Sequence, residues 1–186
     1  SDDTRHYLNG IYFHLTEEDN KSYLTGVATD SHRLSSSSIE VEKGSLIDSL
    51  ILPKKTVFQL CNLLQETNEK VLMQTSETKI QFKIGKIKLI SKIIDGKFPD
   101  YKKVVPTNND KVLMVPSKNF INSVERVATV SLDRKEGVKL VLSNDSIKLS
   151  VTSSSAGEGN EIIKASYASD EMTISFNSKY LIDIAS

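Results

Sequence analysis

An internal repeat of about 62 residues constrains the fold of this sequence more than any other feature. Three segments each contain a short apolar strand, a polar helix start and then an apolar pattern of helical period. The helix starts fall at Pro53, Pro116 and Asn177, which are 63 and 61 residues apart. Proline and asparagine suit these positions, because the first turn of a helix leaves amide groups without partners. The spacing predicts a chain built from copies of one supersecondary unit.

The segments between the predicted helices alternate apolar and polar residues, with the period of two that indicates β-strands. Such runs cover residues 10–41, 71–94 and 137–167. Gly10 and Gly137, which begin two of the runs, are 127 residues apart, about twice the helix spacing. The unit is therefore predicted to be one helix with antiparallel strands. The first copy lacks its helix and the last copy stops inside its helix, so we expect a fragment of a longer protein.

Composition excludes several classes of protein. The 186 residues are 38% hydrophobic, enough to build the core of one domain or two small ones. The chain has 24 basic residues (lysine and arginine) and 24 acidic residues (aspartate and glutamate), which excludes a strongly basic surface over the whole chain. The apolar runs are too short to cross a membrane, and no secretory signal is expected. The single cysteine, Cys61, excludes an internal disulfide, and the helical pattern places it on the packed side of its helix. These features predict a reducing, cytoplasmic location.

Charge is distributed unevenly despite the zero net charge. Residues 70–103 contain nine lysines against three acidic side chains. The lysines alternate with apolar residues, which predicts strands with one wet, basic face. A solvated face and a functional basic surface both explain this pattern. The predicted helices also have polar faces that are poor in acid, with Gln59 and Asn62 on the first and Asn122 and Arg126 on the second. Such faces weakly indicate an anionic neighbour.

No catalytic or metal-binding pattern is evident. The three histidines, His6, His14 and His32, lack metal-ligand spacing. Asp30, Ser31 and His32 supply the residue types of a hydrolase triad, but adjacent residues do not normally form one in space. The glycines at 157 and 159 lack the Gly-Lys-Ser/Thr ending of a phosphate loop, and a mobile connection between strands is predicted there.

Three local patterns carry a resemblance to a known family. They are residues 4–11 (TRHYLNGI), 28–34 (ATDSHRL) and 94–101 (IDGKFPDY). Together they resemble the bacterial sliding clamp, the beta subunit of the replicative DNA polymerase III. The resemblance implies an α+β DNA-clamp fold of repeated helix-plus-antiparallel-strand units, with the helices on one concave face and the sheets outside. It covers essentially the whole chain.

The resemblance also implies a domain organisation. Residues 1–106 correspond to the middle clamp domain without its first helix. Residues 107–110 form a connector, and residues 111–186 correspond to the third clamp domain without its carboxy-terminal part. The family's first domain has no counterpart here.

The function implied by the resemblance is that of a processivity factor without an active site. Such a clamp encircles duplex DNA independently of sequence and tethers the polymerase, the clamp loader and other replication and repair proteins that carry a clamp-binding motif. Family members form a head-to-tail homodimer ring, which this fragment is not expected to close. No cofactor, metal or catalytic residue and no membrane partner is expected.

Site residues follow from the motif match. The family binds partner peptides in a groove whose matching positions here are Leu8, Thr29, Ser31, His32, Arg33, Leu34, Pro99, Lys103 and Val104. The family often has glycine where Ser31 stands. The matching DNA-binding positions are Arg5, His6, Tyr7, Lys54 and Lys55. Two alternatives remain open at this point: a repeat scaffold that does not bind DNA, and a hydrolase centred on Asp30, Ser31 and His32.

Overall fold

The structure is a computed structural model that describes residues 3–45, 47–65, 67–131 and 137–186. It divides into two compact units, Ser1–Val105 and Pro106–Ser186. Every strand pairing in both units is antiparallel among the described residues. In the part of the chain that the structure describes, no helix has the length and apolar character needed to span a bilayer.

The first unit contains two antiparallel sheets and one α-helix within its described residues. Its elements are β1 (Gly10–Glu18), β2 (Lys21–Thr29), β3 (Leu34–Val41), β4 (Leu50–Pro53), α1 (Lys54–Gln65), β5 (Val71–Thr75), β6 (Lys79–Ile84) and β7 (Ile87–Lys92). One sheet has the order β3-β2-β1-β4 and the other β5-β6-β7. Short 3-10 helices, Asp3–Leu8 and Tyr101–Lys103, lie near the two ends of the unit.

A core between α1 and the strands holds this unit together. Leu50 and Leu52 of β4 pack with Ile80 and Phe82 of β6, and Val57 of α1 covers them. The prediction that Cys61 packs against the core is wrong, because its side chain is exposed. Helix α1 faces the sheets through Thr56, Val57 and Leu60, and the residue after Leu60 is rotated about 100° away from that face.

The second unit contains one four-stranded sheet and two α-helices among its described residues. Its elements are α2 (Ser117–Ala128), β8 (Gly137–Ser143), β9 (Ser146–Ser153), β10 (Gly157–Lys164), β11 (Met172–Asn177) and α3 (Ser178–Ala185). The sheet order is β10-β9-β8-β11, and α2 packs against α3 and the sheet. Val124, Val138, Ile147 and Leu149 are fully buried at the centre of its core.

The predicted repeat is confirmed by where the helices begin. Helices α1, α2 and α3 start at Lys54, Ser117 and Ser178, each directly after a predicted anchor residue. The Asn177 side chain accepts a hydrogen bond of 2.9 Å from the Lys179 amide, as expected for a helix cap. The predicted α+β class of helix-plus-antiparallel-strand units is therefore confirmed.

The two glycines at 157 and 159 differ from expectation, because they begin strand β10 instead of forming a strand connection. Gly157 has a positive φ of 96°, which glycine adopts without strain. A Cβ at Gly159 would lie 2.9 Å from the backbone oxygen of Val127. This glycine therefore provides the room that helix α2 needs to approach the sheet.

Strand β10 supplies an acidic neighbour to the polar face of α2 from within the same unit. Glu161 accepts hydrogen bonds from Arg126 Nη2 at 2.6 Å, Arg126 Nε at 3.0 Å and Ser123 Oγ at 2.9 Å. The hydrogen bonds from Arg126 outweigh the effect of burial and hold the pKa of Glu161 below its ordinary value. Arg126 is thus neutralised within its own unit.

This ion pair predicts a pH-dependent contribution to stability. The pKa of Glu161 is lower in the folded protein than in the unfolded chain. The ionised carboxylate therefore adds its full contribution to the free energy of unfolding above the ordinary glutamate pKa of about 4.3. That contribution is lost as the pH falls through the lowered pKa of the folded state. We expect a double-mutant cycle of Arg126→Gln and Glu161→Gln to give a small favourable coupling at neutral pH, since the pair is partly exposed. Urea unfolding at neutral and strongly acidic pH measures it, and an unchanged coupling in acid would contradict the assignment.

Candidate partner-binding groove and nucleic-acid surface

Five of the nine predicted groove residues lie within residues 29–34, which comprise the tight turn between β2 and β3 and the strand residue on either side of it. The Asp30 carboxylate organises this turn, because its Oδ1 accepts hydrogen bonds of 3.0 Å from the amides of both His32 and Arg33. Thr29 Oγ1 donates to the Arg33 carbonyl at 2.7 Å. Ser31 has a positive φ of 74°, a conformation that favours glycine. This φ angle explains why the family that the sequence resembles often has glycine at this position.

The same turn leaves Asp30 poorly placed to act as a catalytic group. Burial tends to raise its pKa, but the two amides and the Arg33 guanidinium together hold the pKa of Asp30 below its ordinary value. Arg33 Nε lies 3.1 Å from Asp30 Oδ2. The Ser31 hydroxyl accepts a hydrogen bond of 3.0 Å from Arg5 Nη1. Both oxygens of the carboxylate are therefore engaged by groups of the turn, which is a structural role for Asp30.

An apolar cluster lies beside this turn. Buried Val27, Ile51 and Phe98 form its centre, and the half-buried Leu8 and Leu34 pack against them. Leu8 comes from the amino-terminal 3-10 helix and Leu34 from the first position of β3. The structure thus brings two predicted groove residues from distant parts of the sequence into one cluster.

The remaining predicted groove residues lie after Phe98. Pro99 is exposed, and Lys103 forms an ion pair of 3.0 Å with Asp100. Val104 follows the Tyr101–Lys103 3-10 helix and is 72% exposed. Tyr101, the first residue of that helix, packs against the apolar cluster. The exposed Pro99 and Val104 are therefore tied to the cluster through Phe98 and Tyr101.

Four aromatic side chains that sequence analysis did not select hold this segment in place. Tyr12 stacks with both Phe98 and His14, and the ring centroids of each pair are 4.9 Å apart. His14 Nε2 and Tyr101 Oη are 3.0 Å apart. Burial, followed by the proximity of Tyr12, raises the pKa of Tyr101. The alternation of Tyr12 and His14 along β1 was the available signal, because it places both on one face of the strand.

The three predicted DNA-binding residues near the start of the chain each contact another part of the protein. Tyr7 is half-buried against the apolar cluster. His6 Nε2 lies 3.1 Å from the Asp95 carbonyl. Arg5 is exposed and reaches the Ser31 hydroxyl of the β2–β3 turn. The structure therefore brings Arg5 towards the predicted groove.

Lys54 and Lys55 occupy the first turn of α1 and are both exposed. The Lys54 ammonium lies 5.7 Å from the centroid of the Phe58 ring. The Lys54 amide donates a hydrogen bond of 3.0 Å to the Asn9 carbonyl, which fixes the start of α1 next to the amino-terminal segment. This backbone hydrogen bond thus connects the amino-terminal segment, which contains Arg5, His6 and Tyr7, to the start of α1, which contains Lys54 and Lys55.

Comparison with known families matches the chain in two consecutive parts. Residues 1–100 match the family model for the central domain of the DNA polymerase III beta subunit. Residues 102–186 match the model for the C-terminal domain of the same beta subunit. The two matches together extend over nearly the whole chain.

Individual relatives agree with the family models. The chain is 37% identical over 185 residues to a beta sliding clamp of Caulobacter vibrioides and 33% identical over 182 residues to that of Escherichia coli. It spans about half the length of these curated relatives, 50% and 49% respectively. A sliding clamp from Bartonella birtlesii, solved bound to griselimycin, is similar with a TM-score of 0.92 and 41% identity over all of this chain and 50% of that one. A sliding clamp from Caulobacter crescentus gives a TM-score of 0.91 and 37% identity over the same shares.

Proposed function

Because the chain belongs to the DNA polymerase III beta subunit family, we propose that it is the central and carboxy-terminal part of a processivity clamp. In this proposal residues 1–106 are the middle domain, 107–110 the connector and 111–186 part of the third domain. The protein acts as an accessory subunit in the cytoplasm, with no chemistry of its own. The complete clamp encircles duplex DNA as a head-to-tail homodimer, and this segment alone does not close a ring.

The observation that carries the proposal is the apolar cluster beside the Asp30 turn. Leu8 and Leu34 converge there from separate elements, and the amide of the exposed Val104 donates a hydrogen bond to the carbonyl of Tyr101, which packs against the cluster. Arg33 and Lys103 lie on the segments that border it and provide a polar rim. An apolar centre with a polar rim is the common form of a peptide-binding surface. We therefore assign this surface as the groove for partner peptides of the polymerase and the clamp loader.

The proposed DNA contact is a small set of phosphate-binding cations, namely Arg5, Lys54 and Lys55, with His6 and Tyr7 beside them. Such contacts are independent of base sequence, which a clamp that slides requires. The alternatives are less well supported. A hydrolase would need the Asp30 carboxylate that the turn already occupies, and a scaffold without a nucleic-acid role is not favoured by relatives that are named as sliding clamps.

We expect weak, salt-dependent binding of this chain to duplex DNA, with a Kd of ~0.1 mM at physiological salt. Each neutralised phosphate contributes about 0.9 to the slope of log K against log salt, so two or three cations predict a slope of about −2 to −3. Fluorescence anisotropy of a labelled duplex of random sequence measures both quantities. The double variant Lys54→Gln, Lys55→Gln is expected to reduce the slope by about 2.

A matched control is the double variant Lys139→Gln, Lys148→Gln, which removes two exposed lysines from strands β8 and β9. We expect it to leave the slope unchanged. Nanomolar affinity, or a preference for one DNA sequence, would contradict the proposed function, because a sliding clamp holds DNA without recognising bases.

A further inference from the structure

The outward face of the β5-β6-β7 sheet carries a dense group of lysines. On β6, Ile80, Phe82 and Ile84 are buried, so the intervening residues point to solvent. We use the term lysine face for the outward residues of the three strands: Leu72, Gln74, Lys79, Gln81, Lys83, Lys88, Ile90 and Lys92. None of these eight residues is acidic.

The lysines of this face oppose one another in pairs. Lys79 is directly opposite Lys92, and Lys83 is directly opposite Lys88. Like charges at opposed positions of an antiparallel pair destabilise the sheet. Among the described residues, no ion pair neutralises any of these four lysines, whereas the exposed Lys21 is paired with Glu40 at 2.9 Å. The lysine face therefore retains a repulsion that an external anion would relieve.

Protection of a sheet edge does not account for this arrangement. Lysines on edge strands commonly prevent sheets from pairing with other chains. Lys79 and Lys83, however, belong to β6, which is the central strand of the described three-stranded sheet. The described strands of the second unit contain no such pairs, since Lys139 lies opposite Ser150 and Lys148 opposite Val141. Within the part of the chain that the structure describes, opposed lysines thus occur in this one sheet.

The centre of the lysine face is apolar and amide-rich. Ile90 is 60% exposed and Leu72 is 54% exposed. Gln81 lies opposite Ile90, and its Nε2 donates a hydrogen bond of 2.8 Å to Gln74 Oε1. No aromatic side chain is present on this face to stack a nucleic-acid base. Exposed aliphatic groups between cations are better matched by a polypeptide than by a sugar–phosphate backbone.

We propose that the lysine face binds an extended acidic polypeptide segment with apolar residues between its acids. Lys79 and Lys83 are four residues apart on one strand, a separation of about 13 Å. In an extended segment running along the strand, acids at positions i and i+4 have the same spacing, and the residue at i+2 faces the centre of the sheet. Two carboxylates then meet Lys79 and Lys83, and an apolar side chain between them covers Ile90 and Gln81.

The test uses the 186-residue chain and a fluorescent nonapeptide of sequence Glu-Thr-Leu-Thr-Glu-Thr-Leu-Thr-Glu. A scrambled peptide of the same composition with adjacent glutamates is the comparison. We expect the patterned peptide to bind more tightly in anisotropy titrations at low salt. Lys79→Gln, Lys83→Gln should weaken it about three- to tenfold, a size typical of two exposed ion pairs. Lys139→Gln, Lys148→Gln should have no effect.

Three results would overturn the proposal. Equal affinity of the wild-type chain and the Lys79→Gln, Lys83→Gln variant would show that the lysines only solvate the sheet. Equal affinity for the two peptides would show that no extended register is recognised. Tighter binding of a random DNA duplex or of anionic lipid vesicles, lost in the same variant, would assign the face to that partner instead. Circular dichroism of the variant confirms that it is folded, which we expect because the substitution removes like-charge repulsion.

Discussion

Replacement of Val104 by aspartate is expected to raise the Kd of a clamp-binding peptide about thirtyfold, on the order of 2 kcal/mol. Val104 is 72% exposed and belongs to the proposed groove, so an apolar peptide residue that buries it would instead meet a charge. Its exposure means that the substitution removes no core packing from the free protein. The measurement is a titration of a labelled short peptide that contains one glutamine and two terminal apolar residues.

The matched control is Val112→Asp, because Val112 is also an exposed valine, at 66%, and lies outside the proposed groove. We expect this variant to bind the peptide as the wild-type chain does. If both variants bind with wild-type affinity, Val104 is not part of a groove. If both lose affinity equally, the effect is one of net charge and the assignment of the site is wrong.

Replacement of Gly10 by alanine is expected to destabilise the first unit by about 2–3 kcal/mol, the upper range for overpacking. A Cβ at this position would lie only 2.3 Å from the Leu52 carbonyl oxygen. That oxygen is part of the backbone of β4, which pairs with β1 and leads directly into α1. The strands must separate to admit the methyl group. Urea unfolding followed by circular dichroism, with amide exchange of β1 and β4, measures the loss.

Gly137 offers a control at the equivalent position of the repeat. It pairs with Asn177 at the end of β11, as Gly10 pairs with Pro53 at the end of β4. Of the residues that the structure describes outside its chain neighbours, the nearest to a Cβ at Gly137 would be Phe176, with its backbone oxygen at 3.6 Å. Gly137→Ala is therefore expected to stabilise the second unit by about 0.5–1 kcal/mol, because alanine gives the unfolded chain a lower conformational entropy than glycine does. Stability changes of opposite sign for the two substitutions would identify the steric contact at Gly10 as the cause of its destabilisation. Equal destabilisation by both substitutions would contradict that explanation.

Local sequence patterns predicted the secondary structure because helix starts and strand alternation are properties of adjacent residues. Pro53, Pro116 and Asn177 indicated where the three helices begin, and Gly10 and Gly137 indicated where strands β1 and β8 begin. The exposure of Cys61 was missed, since an amphipathic pattern does not fix which edge of the apolar stripe meets the sheet. The strand position of Gly159 was also missed, because it depends on pairing with Val151 of β9 and glycine itself does not indicate a strand.

The candidate site was predictable where a motif is local and unpredictable where contacts cross the chain. The turn within residues 28–34 is organised by the side chains of Thr29 and Asp30, whose hydrogen-bond partners are close in sequence. The pairing of Glu161 with Arg126 and the contact of His14 with Tyr101 join residues 35 and 87 positions apart. Neither pairing leaves a signal in a single sequence. The groove and DNA-binding assignments themselves remain predictions that the titrations above test.

Strand β4 belongs to one repeat copy by sequence and to the sheet of another by hydrogen bonding. It begins the copy that contains α1, yet it completes the sheet formed by β1, β2 and β3. Strand β11 has the same relation to β8 and α3. Within each unit, two consecutive copies therefore share one four-stranded sheet, and a cut between them would remove an edge strand from that sheet. The structural module that completes such a sheet is thus a pair of copies, which is larger than the repeat that the sequence displays.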